Sequence, residues 1–484
     1  MTTLTLGASN IGGRLDRLPR SRYLQITVLM ISLGTFWDSY MLYSIGPISA
    51  HFVSSLGQKQ LATNVPLALF FGTFVGAIAL GRIADKIGRK NAFTVNLSVL
   101  AFGNVLAVLS PNATLLLISL FIAGIGTGAE IPLSATYVQE FMAGHNRGKA
   151  TSLMLAFGFL GGTIGGFVAL GLAPLTNLFI SGFRIALLIG AVGAVASLIV
   201  RMRVPESPRW LARVGRADEA DAIMTKIENT VMRERGLTEL PAPFEEPAAS
   251  RRVPIRRKTI DLVKPPFLRR TLSAWVIELF QGFGAYGFTT FVPIIFYSKG
   301  YSIVHALVYT AIIQISYPVG CVLSSFVTDR IDRKWGMAIF YTLNMFSGVA
   351  FFFSSSVPMI IFFGFLTELL IFIDGPLLHT YEVEIYPTDL RGRGSGTSFA
   401  FSRLGGFLAP LAATVMLAVA GSAGSSLLIA TAAGSWLLCA TTAAVLAVKT
   451  GKATLEDLEQ LSRRTNPIEF LTAEPTELQT TKAG

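Results

Sequence analysis

Charge is what this 484-residue chain has least of. Asp, Glu, Lys and Arg make up 14% of it, where a soluble protein carries about a quarter. The shortfall excludes water as the solvent of most of its surface. Cysteine is nearly absent: Cys321 and Cys439 both sit in apolar runs. That excludes a disulfide framework and reads as two small buried hydrophobes. The four histidines, His51, His145, His305 and His379, are scattered. They form no metal-ligand spacing and no nucleophile triad, so an enzyme is not expected. No Gly-x-x-x-x-Gly-Lys-Ser/Thr loop occurs, which argues against ATP-driven pumping and against any bound cofactor. Arg14, Arg17, Arg20 and Arg22 precede a first apolar run too long for the core of a cleaved signal.

Apolar sequence is what the chain has instead, at 52%, with a mean hydropathy of +0.57. A membrane span needs about 20 such residues. Twelve stretches meet that length, near 23–49, 62–82, 91–110, 113–142, 149–174, 183–202, 271–297, 303–328, 336–354, 357–386, 395–420 and 424–448. The fold class is therefore an all-α membrane protein of twelve transmembrane helices. Of 40 Lys and Arg, all but Lys59, Arg184, Lys299 and the intramembrane Arg403 fall in the N-terminal arm, alternate loops and the C-terminal tail. By the positive-inside rule both termini are cytoplasmic. The net charge of +11 is thus a topology signal, dispersed over short loops, and no nucleic-acid partner is expected.

A displacement of 244 residues lays the chain over itself. Glu130-Ile-Pro-Leu-Ser-Ala-Thr-Tyr-Val-Gln-Glu140 falls on Asp374-Gly-Pro-Leu-Leu-His-Thr-Tyr-Glu-Val-Glu384, and Arg147-Gly148 on Arg391-Gly392. Asp85 and Arg89 fall on Asp329 and Arg333. The chain is two copies of one unit, a mark of alternating-access transporters. The expected organisation is an arm at 1–22, a six-helix bundle at 23–202, a linker at 203–270, a second six-helix bundle at 271–448 and a tail at 449–484. The linker's apolar positions Leu211, Val214, Ala220, Ile223 and Ile227 predict short amphipathic helices on the inner membrane face. Arg251 to Lys258 reads as a solvated basic linker within reach of anionic lipid. Ala453 to Leu461 predicts one more amphipathic stretch.

Four motifs, each at the end of an expected span, resemble the major facilitator superfamily. Gly81-Arg-Ile-Ala-Asp-Lys-Ile-Gly-Arg-Lys90 is similar to its signature loop after the second helix, with Gly81, Arg82, Asp85, Gly88 and Arg89 in the matching places. Ser325 to Lys334, with Asp329 and Arg333, is a degenerate second copy. Pro205-Glu-Ser-Pro-Arg-Trp-Leu211, with Glu206 and Arg209, resembles the sugar-porter motif after helix 6. Glu384-Ile-Tyr-Pro387 with Leu390-Arg-Gly392 resembles the end of helix 10 in the same group. The resemblance covers nearly the whole chain and implies two pseudo-symmetric bundles around a central site. Phe36-Trp-Asp-Ser-Tyr40 and Gly128-Ala-Glu-Ile-Pro132 look like proton-coupled metabolite and organic-acid symporters. Helix 7 carries only Gln281-Gly-Phe-Gly-Ala-Tyr-Gly287 of the sugar-porter pattern.

Charges near the bilayer centre cost at least about 2.5 kcal/mol each, so Asp38, Glu130, Glu278, Glu368, Asp374 and Arg403 need a reason. Asp38 is the expected proton carrier, because a carboxyl in a low-dielectric interior exchanges protons near neutral pH; the bland reading is a buried Asp hydrogen-bonded near Gly34. Glu130 and Asp374, equivalent in the repeat and each two residues before a Pro, read as a second proton site, as polar lining or as structural braces. Arg403 reads either as a bidentate partner of a substrate carboxylate or as the neutraliser of Glu368 or Asp374; depth along the helices favours Glu368. Glu278, Gln281, Tyr286, Tyr40 and His379 complete the expected substrate contacts. Glu140 with Arg147 and Glu384 with Arg391 read as gate salt bridges. Asp85 is placed to cap a neighbouring helix. Gly88 and Arg82 become Asp332 and Phe326 in the second copy, which predicts a weaker or different inner latch there.

The expectation is a monomeric secondary active symporter in a bacterial or archaeal cell membrane, surrounded by lipid. It takes in protons with a small organic or aromatic carboxylate. The alternatives are a sugar or polyol symporter, an efflux antiporter, and a non-transporting sensor on the same fold.

Overall fold

The computed structural model describes residues 10–56, 61–142, 147–172, 182–243, 258–298, 303–328, 330–386, 388–420 and 424–450. The arm contributes α1 (Ile11–Asp16). The first half holds α2 (Arg22–Leu56), α3 (Leu61–Ile87), α4 (Arg89–Leu109), α5 (Ala113–Thr127), α6 (Glu130–Phe141), α7 (Arg147–Leu172) and α8 (Gly182–Arg201). Then come α9 (Pro208–Arg213), α10 (Ala217–Arg235) and a short 3-10 turn, Thr259–Val263. The second half holds α11 (Leu268–Ser298), α12 (Ile303–Ile313), α13 (Ser316–Val327), α14 (Arg333–Phe353), α15 (Val357–Glu384), α16 (Thr388–Ala420) and α17 (Gly424–Leu446). α5 with α6 and α12 with α13 each make one rod, which leaves twelve rods, six per half. Ten stretches among the described residues are long and apolar enough to cross a membrane; α2 and α11, at 35 and 31 residues, exceed the length a span needs.

Proline explains both broken rods. Pro132 cannot donate to the Gly128 carbonyl, and the helix breaks at Gly128-Ala129. Pro318 cannot donate to the Gln314 carbonyl, and the helix breaks at Gln314-Ile315. That carbonyl instead accepts from Tyr317 N at 3.2 Å and from Thr163 Oγ1 of α7 at 2.7 Å. Within the halves, small residues let backbones touch, as expected where lipid supplies no hydrophobic drive. Gly72 and Gly76 of α3 lie against Gly124 of α5 and Gly128 just past its end, and a Cβ on Gly72 or Gly124 would run into a carbonyl of the facing helix. The outer faces are apolar: Phe102, Leu109, Phe346 and Phe353 are more than half exposed, which suits contact with acyl chains. The halves meet along α3–α16 and α7–α13.

The inner surface carries a layer that the sequence reading placed on the membrane alone. α1 docks on α9 and α10. Arg14 binds Glu228 at 2.7 Å and also contacts Asp221, while Arg17 binds Glu228 at 2.5 Å and the Pro241 carbonyl at 2.8 Å. Burial pushes the Glu228 carboxyl up, but the hydrogen bonds from Arg14 and Arg17 outweigh it and hold it below the usual range. Arg209 on α9 donates to the Gln139 carbonyl at 3.2 Å and faces Asp16 at 3.4 Å. The basic run before Lys258 and the Ala453–Leu461 stretch lie outside the described residues, as does Asp329.

The inner latch is built twice with different caps. Arg89 meets Glu140 at 3.2 Å, and its repeat equivalent Arg333 meets Glu384 at 3.1 Å. The expected weakening of the second pair is therefore not seen. The difference lies beside it. Glu206 accepts from the backbone N–H of Arg89 at 3.0 Å and of Lys90 at 3.2 Å, capping α4 from the linker. Gly88 has φ +93°, and a Cβ there would meet Glu206 and Trp210. At the equivalent place in the second half, Asp332 caps α14 itself through Lys334 N at 3.1 Å. Glu206 thus caps α4; the side chain of Asp85, like those of Arg82 and Arg147, lies outside the described set. Arg391 donates Nε to the Val383 carbonyl at 3.0 Å.

Candidate functional site

Asp38 and Arg403 sit sixteen and fifteen residues into α2 and α16. At about 1.5 Å per residue that is near mid-membrane for both, and the two side chains face each other across the halves. Arg403 Nη2 lies 3.7 Å from Asp38 Oδ2, and neither side chain has any exposed surface. Among the described residues, neither Asp38 oxygen accepts a hydrogen bond. Arg403 Nη1 donates to Tyr286 Oη at 2.6 Å, and the guanidinium lies 4.6 Å from the Phe399 ring centre. The expected pairing of Arg403 with Glu368 is not what the fold makes. Glu368 accepts from Thr289 Oγ1 at 3.0 Å instead. The rotation about the helix axis, which depth does not report, decides the partner.

An aromatic wall adjoins the pair. Tyr43 packs at 4.8 Å on Tyr317, 6.1 Å on Phe372 and 6.3 Å on Tyr286. Phe70 lies 4.9 Å from Tyr286, and Phe159 lies 4.6 Å from Phe372. Tyr43, Phe70 and Phe159 come from the first half and the rest from the second, so this wall, too, spans the interface. Tyr43, Tyr317 and Phe372 were missed from sequence, because aromatic residues in spans are common and mostly packing. Tyr40 is a correction. Its hydroxyl donates to the Ala186 carbonyl of α8 at 2.9 Å, inside the first half and away from this wall. Gln281 accepts from Ser402 Oγ at 3.3 Å, joining α11 to α16.

Glu130 is a second correction. It is 1% exposed and pairs with Arg201 at 2.6 Å. Arg201 also donates to the Ile31 carbonyl and lies 3.8 Å from the centre of the Phe93 ring. A Cβ on Gly34 would collide with this pair. Of the readings open for Glu130, the short pairing with Arg201 supports the brace. Arg201 was counted from sequence as one more inner-surface charge. Asp374, its repeat equivalent, is 1% exposed beside Tyr341 and has no arginine at the matching position, which is Val445. His379 lies in another cluster, 3.4 Å from Glu382 and 3.9 Å from Glu278.

Two pairs of opposite charge therefore lie at membrane depth, and they differ in kind. Arg201–Glu130 is short, lies within one half and is joined by a hydrogen bond at 2.6 Å. Asp38–Arg403 is long, without a hydrogen bond, and bridges two bodies. At an effective dielectric near 20, charges about 4 Å apart attract by about 4 kcal/mol. Protonating Asp38 removes that attraction and leaves the Arg403 fork open to another carboxylate.

A model of the family "Sugar (and other) transporter" matches residues 26–461. YyaJ of Bacillus subtilis, assigned to metabolite transport only provisionally by its name, is 31% identical over 82% of this chain and 86% of its own length. The niacin transporter NiaP of Acinetobacter baylyi is 28% identical over 84% of this chain and 90% of its own. Among solved structures, the proton:xylose symporter XylE, from E. coli, superposes with a TM-score of 0.69 at 18% identity, covering 91% of this chain and 99% of that one. At that identity the likeness is one of fold.

Proposed function

The chain belongs to the sugar (and other) transporter family, a multi-pass membrane transporter and not an enzyme, and from that premise we propose that it couples protons to the uptake of a small organic carboxylate. The observation that carries this reading is the loose Asp38–Arg403 pair across the halves, 3.7 Å apart with no exposed surface. In the unloaded state Asp38 holds Arg403. A proton from outside neutralises Asp38, and the freed guanidinium takes the substrate carboxylate in its place. The Tyr286 hydroxyl at 2.6 Å holds the fork in orientation. The adjacent rings of Tyr43, Tyr286, Tyr317 and Phe372 offer faces for an aromatic or apolar body. Rocking of the halves then opens the site inward. The proton and the solute leave together, and Asp38 recaptures Arg403. No cofactor enters the cycle; the proton gradient drives it, and one chain holds all the parts.

The resemblance to NiaP supports a pyridine-type or similar aromatic acid. An arabinose-proton symporter of Bacillus subtilis, 27% identical over 74% of this chain, favours the second reading, a sugar. The proposed location is the cytoplasmic membrane of a prokaryotic cell, with the basic loops inward. Proteoliposomes carrying an inward pH gradient test the reading: nicotinate should accumulate above its outside concentration and the accumulation should collapse with a protonophore. Accumulation of arabinose but not of any carboxylate tried would transfer the reading to sugars. Indifference of all uptake to the gradient would end the symport proposal.

A further inference from the structure

Inside the second half, α11 and α15 bring Glu278, His379 and Glu382 together. His379 Nδ1 lies 3.9 Å from Glu278 Oε1 and 3.4 Å from Glu382 Oε2. One ligand-type atom from each of the three residues falls within 4.8 Å of the others. Glu278 and Glu382 are each 1% exposed. Both Glu278 oxygens and Glu382 Oε1 lack a hydrogen-bond partner. These are unpartnered polar atoms, almost wholly buried and facing one another. Such a cluster is costly unless something discharges it.

The internal repeat shows what is missing. Asp374, His379 and Glu382 correspond to Glu130, Ala135 and Val138, and α2 carries Gly34-Thr35 at the level where α11 carries Glu278. The first half thus holds one acid at these places, and Arg201 neutralises it at 2.6 Å. The second half holds three acids and an imidazole, and Val445 stands where Arg201 would be. The neighbouring elements do not make up the deficit. α14 presents the Tyr341 hydroxyl, which faces Asp374. α17 presents the Cys439 thiol. α16 presents Ser398 and Ser402, and Arg403, whose field reaches His379. Arg403 is already engaged with Asp38 and Tyr286.

We propose that Glu278, His379 and Glu382 form a second proton-binding site, separate from Asp38, whose proton is carried through the transport cycle. The site rests on the symport reading above and adds one coupled proton to it. A proton from the outer phase converts one carboxylate, or the imidazole, to its acid form. The same proton leaves to the cytoplasm when rocking of the halves turns the cluster toward the inner phase, and no other reactant is involved. A metal ion also fits three such ligands by geometry.

Difference infrared spectroscopy on the purified full-length protein, titrated from about pH 5 to pH 9, reads buried carboxylic acids directly. The expected result is a protonated-carboxyl band that survives Asp38→Asn and is lost or shifted in Glu278→Gln and in Glu382→Gln. In proteoliposomes with nicotinate as probe, the number of protons moved per nicotinate, taken from the pH gradient that reverses net flux, should fall by one in either Gln variant. That ratio does not depend on how much protein is folded. Wild-type bands in both variants, with an unchanged ratio, would overturn the proposal. Tight binding of Zn2+ or Mn2+ by the wild type, lost in both Gln variants, with no protonated-carboxyl band assignable to the cluster, would overturn it in favour of a metal site. Absence of gradient-driven nicotinate flux in the wild type would defeat the symport reading and leave the infrared bands to decide the cluster alone.

Discussion

Arg201→Met removes the cation from Glu130 and leaves a carboxylate with 1% exposure inside the first half. Breaking one side of a buried pair costs about 3–5 kcal/mol, because the remaining charge is stranded. The variant also forfeits the hydrogen bond to the Ile31 carbonyl and the contact with the Phe93 ring, worth about 1 kcal/mol each. At about 2–4 °C per kcal/mol for a unit of this half's size, the total of about 5–7 kcal/mol should lower the melting temperature by roughly 10–28 °C. Glu130→Gln combined with Arg201→Met removes both charges, and most of the stranding penalty should be recovered. Thermal unfolding of the purified protein in detergent reads both effects. A single variant within about 2 °C of wild type would refute the brace, as would a double variant no more stable than the single. The double variant should also keep gradient-driven uptake, since Glu130 is assigned no proton to carry; loss of uptake with stability restored would return Glu130 to the coupling machinery.

Three further outcomes follow from the geometry. Gly88→Ala places a Cβ at φ +93° against Glu206 and Trp210; it should cost about 1–2 kcal/mol and slow transport, whereas Asp332→Gly at the equivalent place should cost only a few tenths, both read by thermal unfolding and initial uptake rates. Glu228 is held below its ordinary range, its burial outweighed by Arg14 and Arg17, so its stabilising contribution is complete above about pH 4.5 and is lost as pH falls through the lower folded value. Proteolysis of the arm should therefore accelerate below about pH 4, and in Glu228→Gln at neutral pH; an arm equally protected throughout would contradict the docking. Arg403→Lys replaces a fork with a point charge that cannot hold Tyr286 and a carboxylate together, and nicotinate affinity in counterflow should drop about 10–100-fold, or about 1.4–2.7 kcal/mol; unchanged affinity would remove Arg403 from the site.

The sequence made the scaffold readable because the bilayer imposes a length on each apolar run and the repeat tests every assignment twice. Helix ends fall within a few residues of expectation except α2 and α16, which run further: α16 begins at Thr388 rather than near 395. Asp38, Glu278, Glu368, His379 and Arg403 stood out because a charge or imidazole in a span is conspicuous against so few others. Their pairing was not readable, because the facing of Arg403 toward Asp38 depends on helix rotation and on how the two halves meet. Arg201 and Glu382 were hidden by position, lying near the inner ends of their spans where charges are ordinary. Glu206 was read as part of a motif, but its cap on α4 emerged only when the linker folded back over 117 residues of chain. Tyr40 misled because its place in a motif says nothing about which side of the helix it occupies.

The central claim is that Asp38 and the substrate carboxylate compete for Arg403, with a proton deciding the outcome. Asp38→Asn mimics the protonated state permanently. In proteoliposomes this variant should lose the proton that Asp38 carries, so its accumulation of nicotinate under an inward pH gradient falls well below wild type while exchange in counterflow persists. Full uphill accumulation by Asp38→Asn would contradict the account at its root.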